Sequence, residues 1–90
     1  MIGYRLPDID NPNNVPLLLP GQYVRVTNPK DGKIYWPCCS PNDLQGDIAK
    51  HTIIEHEDGT ITATPSIRIT KYDGSEWHGY LTNGIWKEVQ

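Results

Sequence analysis

Four dipeptides punctuate the chain from residue 22 onward: Asp31-Gly32, Asp58-Gly59, Asp73-Gly74 and Asn83-Gly84. Each pairs two residue types that tolerate the positive φ of a tight reversal, which makes them strong local hairpin signals. Between them run QYVRVTN, KIYWP, HTIIEHE, TITATPSIRIT, EWHGYLT and IWKEV, all rich in β-branched and aromatic residues. Turns this frequent leave no room for long helices. The expected fold is all-β: an antiparallel meander of five to seven short strands, as an open sheet or partial barrel. Residues 40–50 are the one stretch with helical potential, a turn or two near residues 41–44 before Gly46 intervenes.

The first 21 residues behave differently. Pro7, Pro12, Pro16, Pro20 and Gly21 restrict the backbone, so neither helix nor central strand fits there. Residues 1–21 are read as an extended Pro-rich arm and residues 22–90 as a single β domain. Leu17, Leu18 and Leu19 are too apolar for a solvated linker; they cover the domain core or make a homo-oligomer contact by arm exchange. With 90 residues, 37% hydrophobic and no Phe, the core is small. The arm, a bound metal or a second subunit would each supply what it lacks.

Composition narrows the function classes. Net charge is −3, and residues 46–90 carry seven acidic against four basic side chains. No basic stripe exists for duplex nucleic acid. No apolar run approaches the ~20 residues of a membrane span, and the N-terminus has no apolar stretch of the secretory kind. These features point to a cytoplasmic protein.

Register can be read from the turns. A two-residue turn at Asn83-Gly84 pairs Thr82 with Ile85, Leu81 with Trp86, Tyr80 with Lys87 and His78 with Val89. Trp77, Leu81 and Trp86 then face the core, with His78, Tyr80 and Thr82 on the other side. The same treatment at Asp58-Gly59 pairs His56 with Ile61 and Ile54 with Ala63. It leaves Glu55, Glu57, Thr60 and Thr62 solvated, and sets His51 and His56 on opposite faces. In Ser66-Ile67-Arg68-Ile69-Thr70 the isoleucines turn inward. Pairing that strand across Asp73-Gly74 assembles a polar patch of Ser66, Arg68, Thr70, His78 and Tyr80, with Thr82 at its edge. Arginine's fork of donors, small hydroxyls and a tyrosine ring suit a phosphate or carboxylate, and a nucleotide is one such ligand.

Two other chemistries are open. Cys38 and Cys39 are adjacent, which makes an ordinary disulfide between them geometrically poor. They read as reduced thiols in a turn, or as zinc ligands together with His51 and His78. A hydrolase would use Cys38 or Ser66 as nucleophile with His78 as base, but no nucleophile-elbow sequence supports it. Glu55, Glu57 and Asp58 beside a turn are ordinary solvated acids, and no Gly-rich phosphate loop is present.

The run Thr62-Ala63-Thr64-Pro65-Ser66-Ile67, followed by Trp77-His78-Gly79-Tyr80-Leu81-Thr82-Asn83-Gly84, resembles the small bacterial and phage proteins grouped as domain-of-unknown-function family 6527. Their pattern is a T-x-x-P-S-I strand and a W-H-G-[FY]-[IL]-x-N-G hairpin after a P-C element and a histidine-led strand. Pro37-Cys38-Cys39 and His51-Thr52-Ile53 stand in the latter places. The resemblance spans residues 36–86 and implies Cys38, His51 and His78 as metal ligands, although the adjacent Cys38-Cys39 replaces two separated cysteines. It also implies a phage or bacterial accessory role toward a host protein or host nucleotide. The expectation is a non-enzymatic binding protein. A zinc-stabilised interaction domain is the alternative, and a small hydrolase the weaker one.

Overall fold

The computed structural model describes residues 1–89, and they are nearly all β. The strands are β1 (Tyr4–Arg5), β2 (Gln22–Tyr23), β3 (Val26–Thr27), β4 (Ile34–Tyr35), β5 (Pro37–Cys39), β6 (Gln45–Asp47), β7 (Thr52–Glu55), β8 (Ile61–Thr70), β9 (Glu76–Thr82) and β10 (Ile85–Glu88). They form a four-stranded meander, β10-β9-β8-β7, a second sheet ordered β1-β2-β5-β6, and the ribbon β3-β4. Ten strands exceed the five to seven expected. QYVRVTN breaks into β2 and β3, and β1, β5 and β6 are only two or three residues long. The pairing of β1 with β2 is parallel, as is the isolated bridge between Ile9 and Val26. The described residues close no barrel.

The meander contains both a correct and an incorrect register expectation. At Asn83-Gly84 both residues have positive φ (49° and 74°), and the pairs Thr82–Ile85, Leu81–Trp86 and Tyr80–Lys87 form as read. Trp77 and Trp86 are buried and meet edge-to-face, with ring centroids 5.3 Å apart. Gly79 is required between them: a Cβ there would collide with the Lys87 carbonyl and the Trp77 ring. At Asp58-Gly59 the loop holds three residues, since the His56 N–H donates to Thr60 O at 2.8 Å. Gly59 takes the left-handed position at φ 87°. Glu55 therefore faces Ile61, and Ile53 faces Ala63. A one-residue slip exchanges faces: Ile53 packs on the core, while Ile54 is exposed.

The second sheet separates two cores because neighbouring side chains on a strand point to opposite sides. Toward the meander lie Tyr23, Trp36, Cys38, Leu44 and Ile48, packed against Ile61, Ile67, Ile69, Trp77, Leu81 and Trp86. Away from it lie Leu18, Val24, Val26 and Cys39, with Leu6, Ile9, Val15 and Tyr35 against them. The cysteines thus sit fully buried in a strand, one per core, rather than in a turn.

Residues 1–21 run along the rest of the domain and hydrogen-bond to it. The Gly3 N–H donates to Gly84 O, the Tyr4 N–H to Gly21 O, the Leu6 N–H to Tyr23 O and the Ile9 N–H to Arg25 O. Of the three leucines only Leu18 is buried; Leu17 and Leu19 are exposed. The helical expectation also moves. Residues 40–50 form a turn and β6, because the Ser40 hydroxyl accepts the Leu44 N–H at 3.0 Å and Asp43 adopts φ 68°. The helical turn is instead a short 3-10 segment, Pro12–Asn14. Asn11 caps it through its side chain, and Pro12 sits at its start, where a missing N–H costs nothing.

Candidate functional site

The meander is interrupted between β8 and β9. Ala63 pairs with Leu81 and Ile67 with Gly79, so Thr64, Pro65 and Ser66 together oppose Tyr80. The Thr64-Pro65 peptide in this bulge is cis. Proline has no N–H to give the ladder, and bulges are where strands tolerate it and re-aim a side chain. The side chain re-aimed is Ser66. Two histidines hold it: His51 Nε2 lies 3.1 Å from the Ser66 carbonyl oxygen, and His78 Nε2 lies 3.0 Å from the Ser66 hydroxyl.

Beyond the bulge, Arg68 stands directly across from His78, and Thr70 across from Glu76. Tyr80 faces Lys87 and Thr82 faces Ile85 on the next strand. The structure therefore brings Ser66, Arg68, Thr70, His78, Tyr80 and Thr82 onto the outer, exposed side of one sheet.

The chemistry of that face follows from proton positions. Arg68 Nη2 lies 3.5 Å from His78 Nδ1, a long contact. A guanidinium has donors only, so a neutral His78 ring facing it presents a bare Nδ1 and carries its proton on Nε2. In that tautomer Nε2–H donates to the Ser66 oxygen, which leaves the Ser66 hydroxyl proton free for another acceptor. With the His78 proton on Nε2 the serine is set to hold an acceptor; with it on Nδ1 the imidazole would accept the serine proton, as in a nucleophile–base pair. Among the described residues Arg68 makes no ion pair, whereas Arg5 and Arg25 each make two.

The residues considered for zinc do not converge. Cys38 faces the inner core and Cys39 the outer one, where its thiol donates to Asp43 Oδ1 at 3.4 Å. Burial pushes the Cys38 thiol up to about 12, with the Asp47 carboxylate and Cys39 adding to the effect. Burial and the Asp43 contact raise Cys39 to about 11. Among the described residues, no three His, Cys, Asp or Glu side chains are grouped closely enough to hold a metal ion. His51, whose Nε2 must donate to the Ser66 carbonyl, keeps a buried Nδ1 without a partner.

Sequence reasoning missed a ring of charges on the opposite flank. Arg5 reaches Asp8 (3.0 Å) and Glu55 (2.8 Å), and Arg25 reaches the same two carboxylates (2.6 and 3.2 Å). Arg5 also lies 5.1 Å from the Trp36 ring centroid and donates to Gly59 O at 3.1 Å. The four residues come from three distant parts of the chain, so no local pattern announces them. The ring borders an open groove of about 520 Å³ lined by residues 3–8, Tyr23 and residues 58–60. Its arginines are already neutralised, which makes it a tie between segments and a poor receptor for an anion.

No family model matches the chain, and no curated protein or solved structure matches it.

Proposed function

We propose that this chain is a non-enzymatic binding protein that takes a small anionic group, such as the phosphate of a nucleotide, on the outer face of the meander. The observation that carries this reading is the Arg68 guanidinium, which makes no ion pair among the described residues, on the same sheet face as a Ser66 hydroxyl 3.0 Å from His78 Nε2. A guanidinium fork and a serine O–H are donors suited to phosphate or carboxylate oxygens. The bulge fixes the serine before any ligand arrives, so little ordering is left to oppose binding. The motif likeness supports a phage or bacterial accessory role, exercised in the cytoplasm on a host molecule.

The test is a thermal-shift titration with inorganic phosphate and a panel of nucleotides. Wild-type protein should gain melting temperature with at least one of them, by ligand linkage. Arg68→Ala should abolish that gain while leaving the ligand-free Tm within about 2 °C, because an exposed substitution costs little stability. No gain with any anion would end the proposal.

A further inference from the structure

The anion site has a neighbour on the same face. Tyr80, Thr82, Asn83, Ile85 and Lys87 line an open hollow of about 340 Å³, near the small end of the ~300–1,000 Å³ range of ligand sites. Tyr80 and Ile85 are about half exposed, at 48% and 51%. Ile2 bridges to Ile85 and is 83% exposed, so it extends the same apolar platform. Lys87 lies opposite Tyr80 and, among the described residues, makes no ion pair. Of the paired residues on this face the one acid is Glu76, opposite Thr70 at the far end. In a chain of net charge −3, this face thus holds two cations without an ion pair among the described residues, with an aromatic ring between them.

Tyr80 is two residues from His78 on β9, roughly 7 Å along the strand, and His78 stands beside Arg68. A ring placed over Tyr80 and Ile85 can therefore be joined by a short link to an anion held at Arg68 and Ser66. Resting on the anion reading above, we infer that the ligand is a nucleoside 5′-phosphate. Its base stacks on the Tyr80–Ile85 platform, its phosphate is held by Arg68 and Ser66, and Lys87 adds the second positive charge at the rim. The hollow and the anion site are two halves of one site. An aromatic face is sequence-tolerant toward bases, so purine and pyrimidine nucleotides are both accepted.

Isothermal titration with inorganic phosphate, adenosine, AMP and CMP separates the halves. AMP and CMP should bind more tightly than phosphate, and Tyr80→Ala should weaken both by between about fivefold and about 150-fold, the range for loss of one stacked base. Phosphate binding should be the same in wild type and Tyr80→Ala. Lys87→Gln should weaken AMP and make its binding less salt-sensitive. Phosphate binding with no gain for AMP or CMP, or nucleotide affinity unchanged in Tyr80→Ala, would overturn the stacking inference and leave the anion site standing. Absence of binding by phosphate and nucleotides alike would overturn both. Circular dichroism on each variant confirms that the sheet is intact.

Discussion

The two thiols should be almost inert in the folded protein and should give it a marked weakness at alkaline pH. Both side chains have no exposed surface. The thiolate is the reactive form, and folding lifts Cys38 from 9.0 to about 12 and Cys39 from 9.0 to about 11. A thiol whose pKa rises by one ionises tenfold less at a given pH below it. At pH 8 the thiolate fraction should thus drop roughly a thousandfold at Cys38 and roughly a hundredfold at Cys39, before any allowance for the reagent's restricted access. Reaction with a disulfide reagent at pH 8 should then report only transient unfolding, with both thiols released at once in denaturant. The linkage sign follows from the raised values. Above about pH 9 the unfolded chain gives up protons that the folded protein keeps, so the folded state binds more protons and stability falls as pH rises. The contribution is whole below pH 9 and is lost through about 11 to 12, up to roughly tenfold in the folding equilibrium per pH unit for each thiol. Tyr23, raised by burial, acts in the same direction. Urea midpoints between pH 7 and 11 measure the slope, and the double variant Cys38→Ala, Cys39→Ala should flatten it. A thiol that reacts in the native protein as fast as a free cysteine would refute this account. So would protection that disappears on adding a chelator, because it would mean a metal thiolate in place of a buried thiol.

Two other perturbations probe the N-terminal segment. Leu18→Ala should cost about 2–5 kcal/mol in chemical denaturation, the range for a fully buried leucine, while the exposed neighbour Leu17→Ala should stay within about 0.5 kcal/mol; equal effects would mean that the segment does not close the outer core. The charge ring predicts an acid-side dependence. Burial alone would raise the Asp8 carboxyl, but the Arg5 and Arg25 guanidinium groups outweigh it and hold the group below its ordinary value. Its contribution is therefore present above about pH 4 and lost as pH falls through the lowered value. Asp8→Asn should remove that contribution, by no more than about 1 kcal/mol at this exposure, and a variant with an unchanged acid limb would count against the ring.

The meander was legible where a turn dictates register by itself. Asn83-Gly84 supplies two consecutive positive-φ positions, and its strands fall into place with Trp77, Leu81 and Trp86 inward. Asp58-Gly59 looks alike in sequence, yet Gly59 alone turns left-handed and Glu57 joins the loop. That one residue decides whether Ile53 or Ile54 packs on the core, and composition cannot supply it. The polar face was legible too, because Arg68 and His78 alternate cleanly with Ile67, Ile69 and Trp77. The bulge that aims Ser66 was signalled only by Pro65 inside a strand-like run. The short strands β1 and β5 both pair with β2 across long stretches of sequence, and the charge ring around Asp8 and Glu55 likewise joins distant segments. Neither leaves a periodic trace.

The back-to-back cysteines of β5 have a consequence for alignment. Sliding β5 and β6 together by one residue would exchange the contents of the two cores, yet at the centre of β5 the exchange replaces one cysteine with another, and at that position volume and polarity would not register the error. The information that prevents it is carried across the ladder by Gly46, which stands opposite Cys38. A Cβ at that position would come within 2.9 Å of the Ile69 side chain, so neither Gln45 nor Asp47 fits there without displacing it. The strand is symmetric in the residues it buries, and its alignment is decided by a neighbour that buries none.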